Sequence, residues 1–81
     1  ITSKYLTTII IYLKYNDKAM LEIMQKANTS GILIDNMKTL NKTDTFMYEV
    51  DLWVRSLEHL NNYIRDLKAL KYVYDVTRVM K

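Results

Sequence analysis

Thr45-Phe46-Met47-Tyr48-Glu49-Val50-Asp51-Leu52-Trp53-Val54 decides the fold. Phe46, Tyr48, Val50, Leu52 and Val54 alternate with Met47, Glu49, Asp51 and Trp53. Successive side chains of an extended chain point to opposite sides. Period two therefore predicts a strand with one buried face. Working outward, Tyr5–Leu13 is rich in β-branched and aromatic residues and reads as a strand. Asn16-Asp17 ends it, since both residues favour turns and caps. Met20, Ile23, Met24 and Ala27 fall at i, i+3, i+4 and i+7, predicting one apolar helix face. Asn28-Thr29-Ser30-Gly31 stops that helix, with Gly31 suited to a left-handed C-terminal position. Residues 32–40 resume an extended pattern with imperfect alternation, which predicts an edge strand or a bulge. Asn41-Lys42-Thr43-Asp44 reads as a hairpin turn. Ser56 is a good N-cap, and Leu57, Leu60, Ile64 and Leu67 predict a second amphipathic helix. Residues 72–80 form the last strand.

The order is β-α-β-β-α-β. Two helices crossing over a four-stranded antiparallel sheet make the α+β, ferredoxin-like arrangement. Right-handed crossovers place both helices on one sheet face. The other face is left open, and function is expected there or in the loops. Against the helices the first strand would place Tyr5, Thr7, Ile9, Ile11, Leu13 and Tyr15. The open face would carry Leu6, Thr8, Ile10, Tyr12 and Lys14, with Met47, Glu49, Asp51 and Trp53 beside them. A water-facing side of an antiparallel sheet is normally polar. An apolar one marks a partner surface, and Leu6, Ile10, Tyr12, Met47 and Trp53 are its candidates. A one-residue slip of register would exchange the two faces.

Composition narrows the function classes. The chain has 81 residues, enough for a single domain without a deep cleft between domains. It has no Cys, which excludes disulfides, thiolate metal sites and cysteine nucleophiles. One Gly and no Pro exclude a Gly-rich phosphate loop. No apolar run approaches the length of a membrane span. A net charge of +3 is too mild for a polybasic arm. The chain begins at Ile1 without a signal-peptide pattern, and reads as a domain cut from a longer protein. His59 is alone, without a second His or a Cys to complete an acid–base pair, and reads as a solvated helix residue. The nine carboxylates show no metal-ligand spacing. Phe46 and Tyr48 sit where RNA-recognition modules stack bases. The glycines and leading basic residue of that motif are missing here. Glu49 and Asp51 would repel phosphate, so core packing is the reading for these aromatics. Met20 and Met24 read as helix core.

The closing run Leu70-Lys71-Tyr72-Val73-Tyr74-Asp75-Val76-Thr77-Arg78-Val79 resembles the end of RelA/SpoT-type alarmone synthetase/hydrolases. Those proteins close with an ACT domain. Leu57-Glu58-His59-Leu60, followed by Ile64, Leu67 and Leu70, is similar to the helix leading into that strand. Asp17-Lys18 matches an Asp-Arg-like pair after the first strand. The resemblance covers essentially the whole chain, with Val73–Val79 its specific part. It implies a single, non-catalytic ACT regulatory domain over 1–81, with the catalytic domains upstream in a cytoplasmic protein. The parent would transfer pyrophosphate from ATP to GTP or GDP and hydrolyse the product, controlling the stringent response to amino-acid starvation. The implied partners are the upstream domains, a second copy through ACT pairing, the ribosome with uncharged tRNA, and a free amino acid. No cofactor and no membrane are implied. By resemblance a ligand would meet Asn16, Asp17, Lys18, Ala19 and Met20, with Gly31 and Ile32 opening the neighbouring strand. Ala19, or Met20, stands where amino-acid-binding ACT domains carry the Gly that lets backbone approach a ligand. An amino-acid-sensing ACT domain of another metabolic regulator, and an RNA-binding module of similar topology, are the alternatives.

Overall fold

The computed structural model describes residues 4–42 and 45–79, the side chains of 41, 42 and 45 aside. The elements run β1 (Tyr5–Leu13), α1 (Ala19–Ser30), β2 (Leu33–Lys42), β3 (Thr45–Val54), α2 (Leu57–Lys68) and β4 (Val73–Val79). The sheet order is β2-β3-β1-β4, and every described pairing is antiparallel. The ferredoxin-like α+β architecture is therefore the one predicted. β1 and β3 keep their expected limits; β2 runs on to Lys42. The centre of the expected hairpin turn, Thr43-Asp44, and the expected strand end at Met80 lie outside the described residues.

The alternating β3 pattern works as read. Tyr48, Val50, Leu52 and Val54 are buried, as are Ile9, Ile11 and Leu13 on the paired β1. Their common partners are Ile23 and Ala27 of α1, and Leu60, Tyr63 and Leu67 of α2. Tyr5 and Tyr15, expected against the helices, are exposed at or beyond the ends of β1. β2 is an edge strand, and its register shifts between Ile34 and Asn36, leaving Asp35 as the extra residue. That bulge is why its alternation is imperfect.

The apolar face of α1 differs from the expected one. Ala19, Ile23 and Ala27 face the core, whereas Met20 is 42% and Met24 50% exposed. Residues at i, i+4 and i+8 share a helix stripe, and this stripe is the one that joins the core. The longer methionines are displaced to its flank. In α2 the buried set is Leu60, Tyr63 and Leu67, with Ile64 partly buried and Leu57 exposed. Ser56 caps α2, its Oγ accepting from His59 N–H at 3.1 Å. Gly31 ends α1 with φ +73°, the left-handed conformation that glycine adopts freely.

Candidate functional site

Cross-strand register defines the sheet face away from the helices, row by row. Leu33, Trp53 and Leu6 share the first row. Asn36, Asp51, Thr8 and Val79 share the second. Lys38, Glu49, Ile10 and Thr77 make the third, and Leu40, Met47, Tyr12 and Asp75 the fourth. The five expected contact residues thus lie on one face, as the strand patterns predict. Their arrangement was not foreseen. Leu6 and Trp53 form one apolar end, and Tyr12 and Met47 the other. Six residues of strand, about 20 Å, separate Leu6 from Tyr12. Between them runs a polar belt, with Ile10 inside it. Thr8 is only 3% exposed, and its hydroxyl donates to Asp51 Oδ1 at 2.7 Å. The Trp53 indole N–H donates to Asp35 Oδ1 at 3.2 Å, using the carboxylate that the β2 bulge presents. Both bonds fix a side chain of this face in place. Both donors are neutral, and Lys38 lies opposite Glu49 in the same belt.

The loop after β1 is bound to itself. Asn16 Oδ1 accepts from Lys18 N–H at 2.8 Å. The Asn16 carbonyl accepts from Ala19 N–H at 3.1 Å. Two backbone donors that could have met a ligand are therefore engaged. Tyr15, Asn16, Asp17 and Lys18 line an open hollow of about 520 Å³. The Tyr15 ring leans on Phe46, with centroids 5.1 Å apart. A hydrogen bond to Asp17, and then its charge, raise the Tyr15 phenol above its ordinary pKa. Ala19 is fully buried, so its methyl serves the core and not the hollow. Met20 is exposed beside it.

Gly31 and Ile32 are not brought to this loop. They follow the far end of α1, twelve residues and about 18 Å along its axis. The strand they lead into, β2, pairs only with β3 and is no neighbour of β1. Leu33 lies opposite Trp53, at the end of the sheet where β1 begins rather than where it ends. Ile32 N–H bonds the Ala27 carbonyl at 2.8 Å, and Gly31 N–H the Asn28 carbonyl at 3.2 Å, closing the helix end. Ile32 is a core residue.

His59 is not a solvated surface residue. It is half-buried, with Nε2 2.6 Å from the Ser30 carbonyl and Nδ1 3.3 Å from Arg55 N–H. The Ser56-x-x-His59 spacing, that of a capping box, was the available signal for this placement. Tyr63 was also missed. Its place between Leu60 and Leu67 on the buried stripe would have found it. Among the described residues no group of three or more His, Asp or Glu could hold a metal. No described helix is long and apolar enough to cross a membrane.

A family model described as ACT domain matches residues 2–78, and the chain belongs to the ACT-domain family. It is a regulatory ACT domain. The solved structures agree in fold. The ACT domain from GTP pyrophosphokinase of Chlorobium tepidum superposes with TM-score 0.80 at 17% identity, covering 95% of this chain and 100% of that one. A homoserine dehydrogenase from Thiobacillus denitrificans gives TM-score 0.76 at 18% identity, over 96% of this chain but 17% of the enzyme. The C-terminal domain of the MgtC protein from Mycobacterium tuberculosis gives 0.73 at 14% identity, over 96% and 87% of the two chains. No curated protein matches the chain.

Proposed function

We propose that this chain is the regulatory module of an alarmone synthetase/hydrolase of the stringent response. The observation that carries the reading is the pairing of two similarities. The Val73–Val79 strand resembles the closing strand of that family. The whole fold superposes on an ACT domain from a GTP pyrophosphokinase, and covers all of it. The module contributes no catalytic group. Pyrophosphate transfer from ATP to GTP or GDP, and hydrolysis of the product, belong to domains upstream in a cytoplasmic protein.

The mechanism is a shift of population between catalytic states. A partner that contacts the module tenfold better in one state biases the equilibrium by about 1.4 kcal/mol. The contact is the open sheet face, through Leu6, Ile10, Tyr12, Met47 and Trp53. Its occupants are the catalytic half, the ribosome with uncharged tRNA, or a second copy of the domain. Apolar ends around a charged belt suit such a contact, since buried anchors supply affinity and the charges select the partner.

A second reading is an amino-acid sensor in another metabolic regulator, favoured by the likeness to homoserine dehydrogenase. Its ligand would meet Asn16, Asp17, Lys18, Ala19 and Met20, with Gly31 and Ile32 contributed from elsewhere. The deciding experiment assays the parent protein for pyrophosphate transfer from ATP to GTP and for hydrolysis of the product. Either activity supports the first reading. Absence of both, with the protein folded, rejects it.

A further inference from the structure

The single histidine is built into a helix cap. Ser56 stands at the N-cap of α2, and His59 three residues later at the third helical position. In a capping box the residue at that position reaches back to bond the N–H of the N-cap residue, a task usually done by Glu or Gln. Here an imidazole reaches one residue further back, Nδ1 accepting from Arg55 N–H at 3.3 Å while His59 N–H donates to Ser56 Oγ at 3.1 Å. A backbone N–H can only donate, so Nδ1 must carry the lone pair and Nε2 the proton. Nε2–H then donates to the Ser30 carbonyl at 2.6 Å, at the last residue of α1. One neutral ring ties the end of α1 to the start of α2.

We propose that His59 is a proton-operated tie, exchanging its bond to Arg55 N–H ahead of α2 for a stronger hold on α1 when it is protonated. Protonation places a hydrogen on Nδ1 and removes the only acceptor the ring offers to Arg55 N–H. It also places a positive charge at a helix N-terminus, where the dipole opposes it. The Ser30 contact survives and becomes charge-assisted, at a helix C-terminus where the dipole favours a cation. The surrounding charges are few. The last turn of α1 has no basic residue. The guanidinium of Arg55 passes beside Gly31, with Nη2 3.7 Å from the place a Cβ would occupy. Glu58 lies in the first turn of α2. On β2 the first acid is Asp35, held by Trp53. The tie sits where α1 leads into β2 and β3 into α2, the end of the sheet that carries Leu33, Trp53 and Leu6.

The test uses the 81-residue chain, labelled with nitrogen-15, at about pH 8 and about pH 5. Ring nitrogen shifts should report the Nε2–H tautomer at the higher pH. On acidification the protection of the Arg55 amide, corrected for intrinsic exchange, should fall about fivefold, the scale of one lost hydrogen bond. His59→Gln keeps an acceptor that does not titrate, so its Arg55 amide should stay protected at both values. His59→Ala should leave that amide unprotected at both. An Nδ1–H tautomer at pH 8 would overturn the proposal. So would an acid response of His59→Gln equal to that of the parent chain.

Discussion

Replacing Tyr63 by Phe separates two contributions of one buried phenol. The side chain is fully buried, and its hydroxyl donates to the Ile23 carbonyl at 3.0 Å. Removing the hydroxyl loses one neutral hydrogen bond, about 1 kcal/mol at pH 7. Burial raises the Tyr63 pKa well above its ordinary value. The folded phenol therefore keeps its proton after the unfolded one, near 10, has begun to lose it. Above that pH the native state binds one proton more than the unfolded state, so stability falls as pH rises. The contribution is complete below about 10 and drains as pH climbs towards the elevated folded value. The loss reaches about 0.8 kcal/mol at pH 10.5 and about 1.4 kcal/mol at pH 11, taking 10 as the unfolded value. The parent chain should thus lead Tyr63→Phe by about 1 kcal/mol at neutral pH and fall behind it between about pH 10.5 and 11. Tyr72 is also raised, by burial and then by its bond to Glu22. It is present in both proteins and cancels. Urea unfolding followed by far-ultraviolet dichroism, in steps from pH 7 to 11, measures the difference. A constant difference across that range would refute the argument.

Three further outcomes follow from particular residues. Gly31→Ala should cost about 1–2 kcal/mol in urea unfolding, all of it from the left-handed backbone. The added Cβ would meet Arg55 at an ordinary 3.7 Å. Leu52→Ala, at a fully buried position paired to Thr7 and Ile34, should cost about 2–5 kcal/mol by the same measurement. Titrating the labelled chain with a mixture of amino acids should leave the amides of residues 17–21 and 31–34 unmoved. Two donors of the first loop are already bonded, and the two segments lie apart on the chain. Localised, saturable shifts there would favour the amino-acid sensor.

The strands were legible because burial on one face writes period two directly into β3, and β1 is dense in β-branched residues. The caps at Ser56 and Gly31 were legible because each residue type answers a backbone need. The α1 face was not. Met20 and Met24 carry more hydrophobicity than Ala19 and Ala27, yet the stripe of Ala19, Ile23 and Ala27 is the buried one. Apolar weight alone misassigns such a helix. Tyr63 was hidden by its hydroxyl, which finds a partner only in another element, at Ile23. His59 was misread because Ser30, the partner of its Nε2, stands at the end of another helix, far away in the sequence. Leu6, Ile10, Tyr12, Met47 and Trp53 could be placed on one face from alternation alone. Their division into two apolar ends depends on the register between β1 and β3, which pairs Leu6 with Trp53 and Tyr12 with Met47 and which alternation within each strand leaves open.

The most direct test of the account is the double substitution Tyr12→Ala and Trp53→Ala in the parent protein, one change at each apolar end. Both side chains lie on the open face and outside the core, so the fold should persist by amide spectra. The ratio of pyrophosphate transfer to product hydrolysis should shift by tenfold or more, the effect of about 1.4 kcal/mol between two states. An unchanged ratio in a folded protein would contradict the claim that this face carries the regulatory contact.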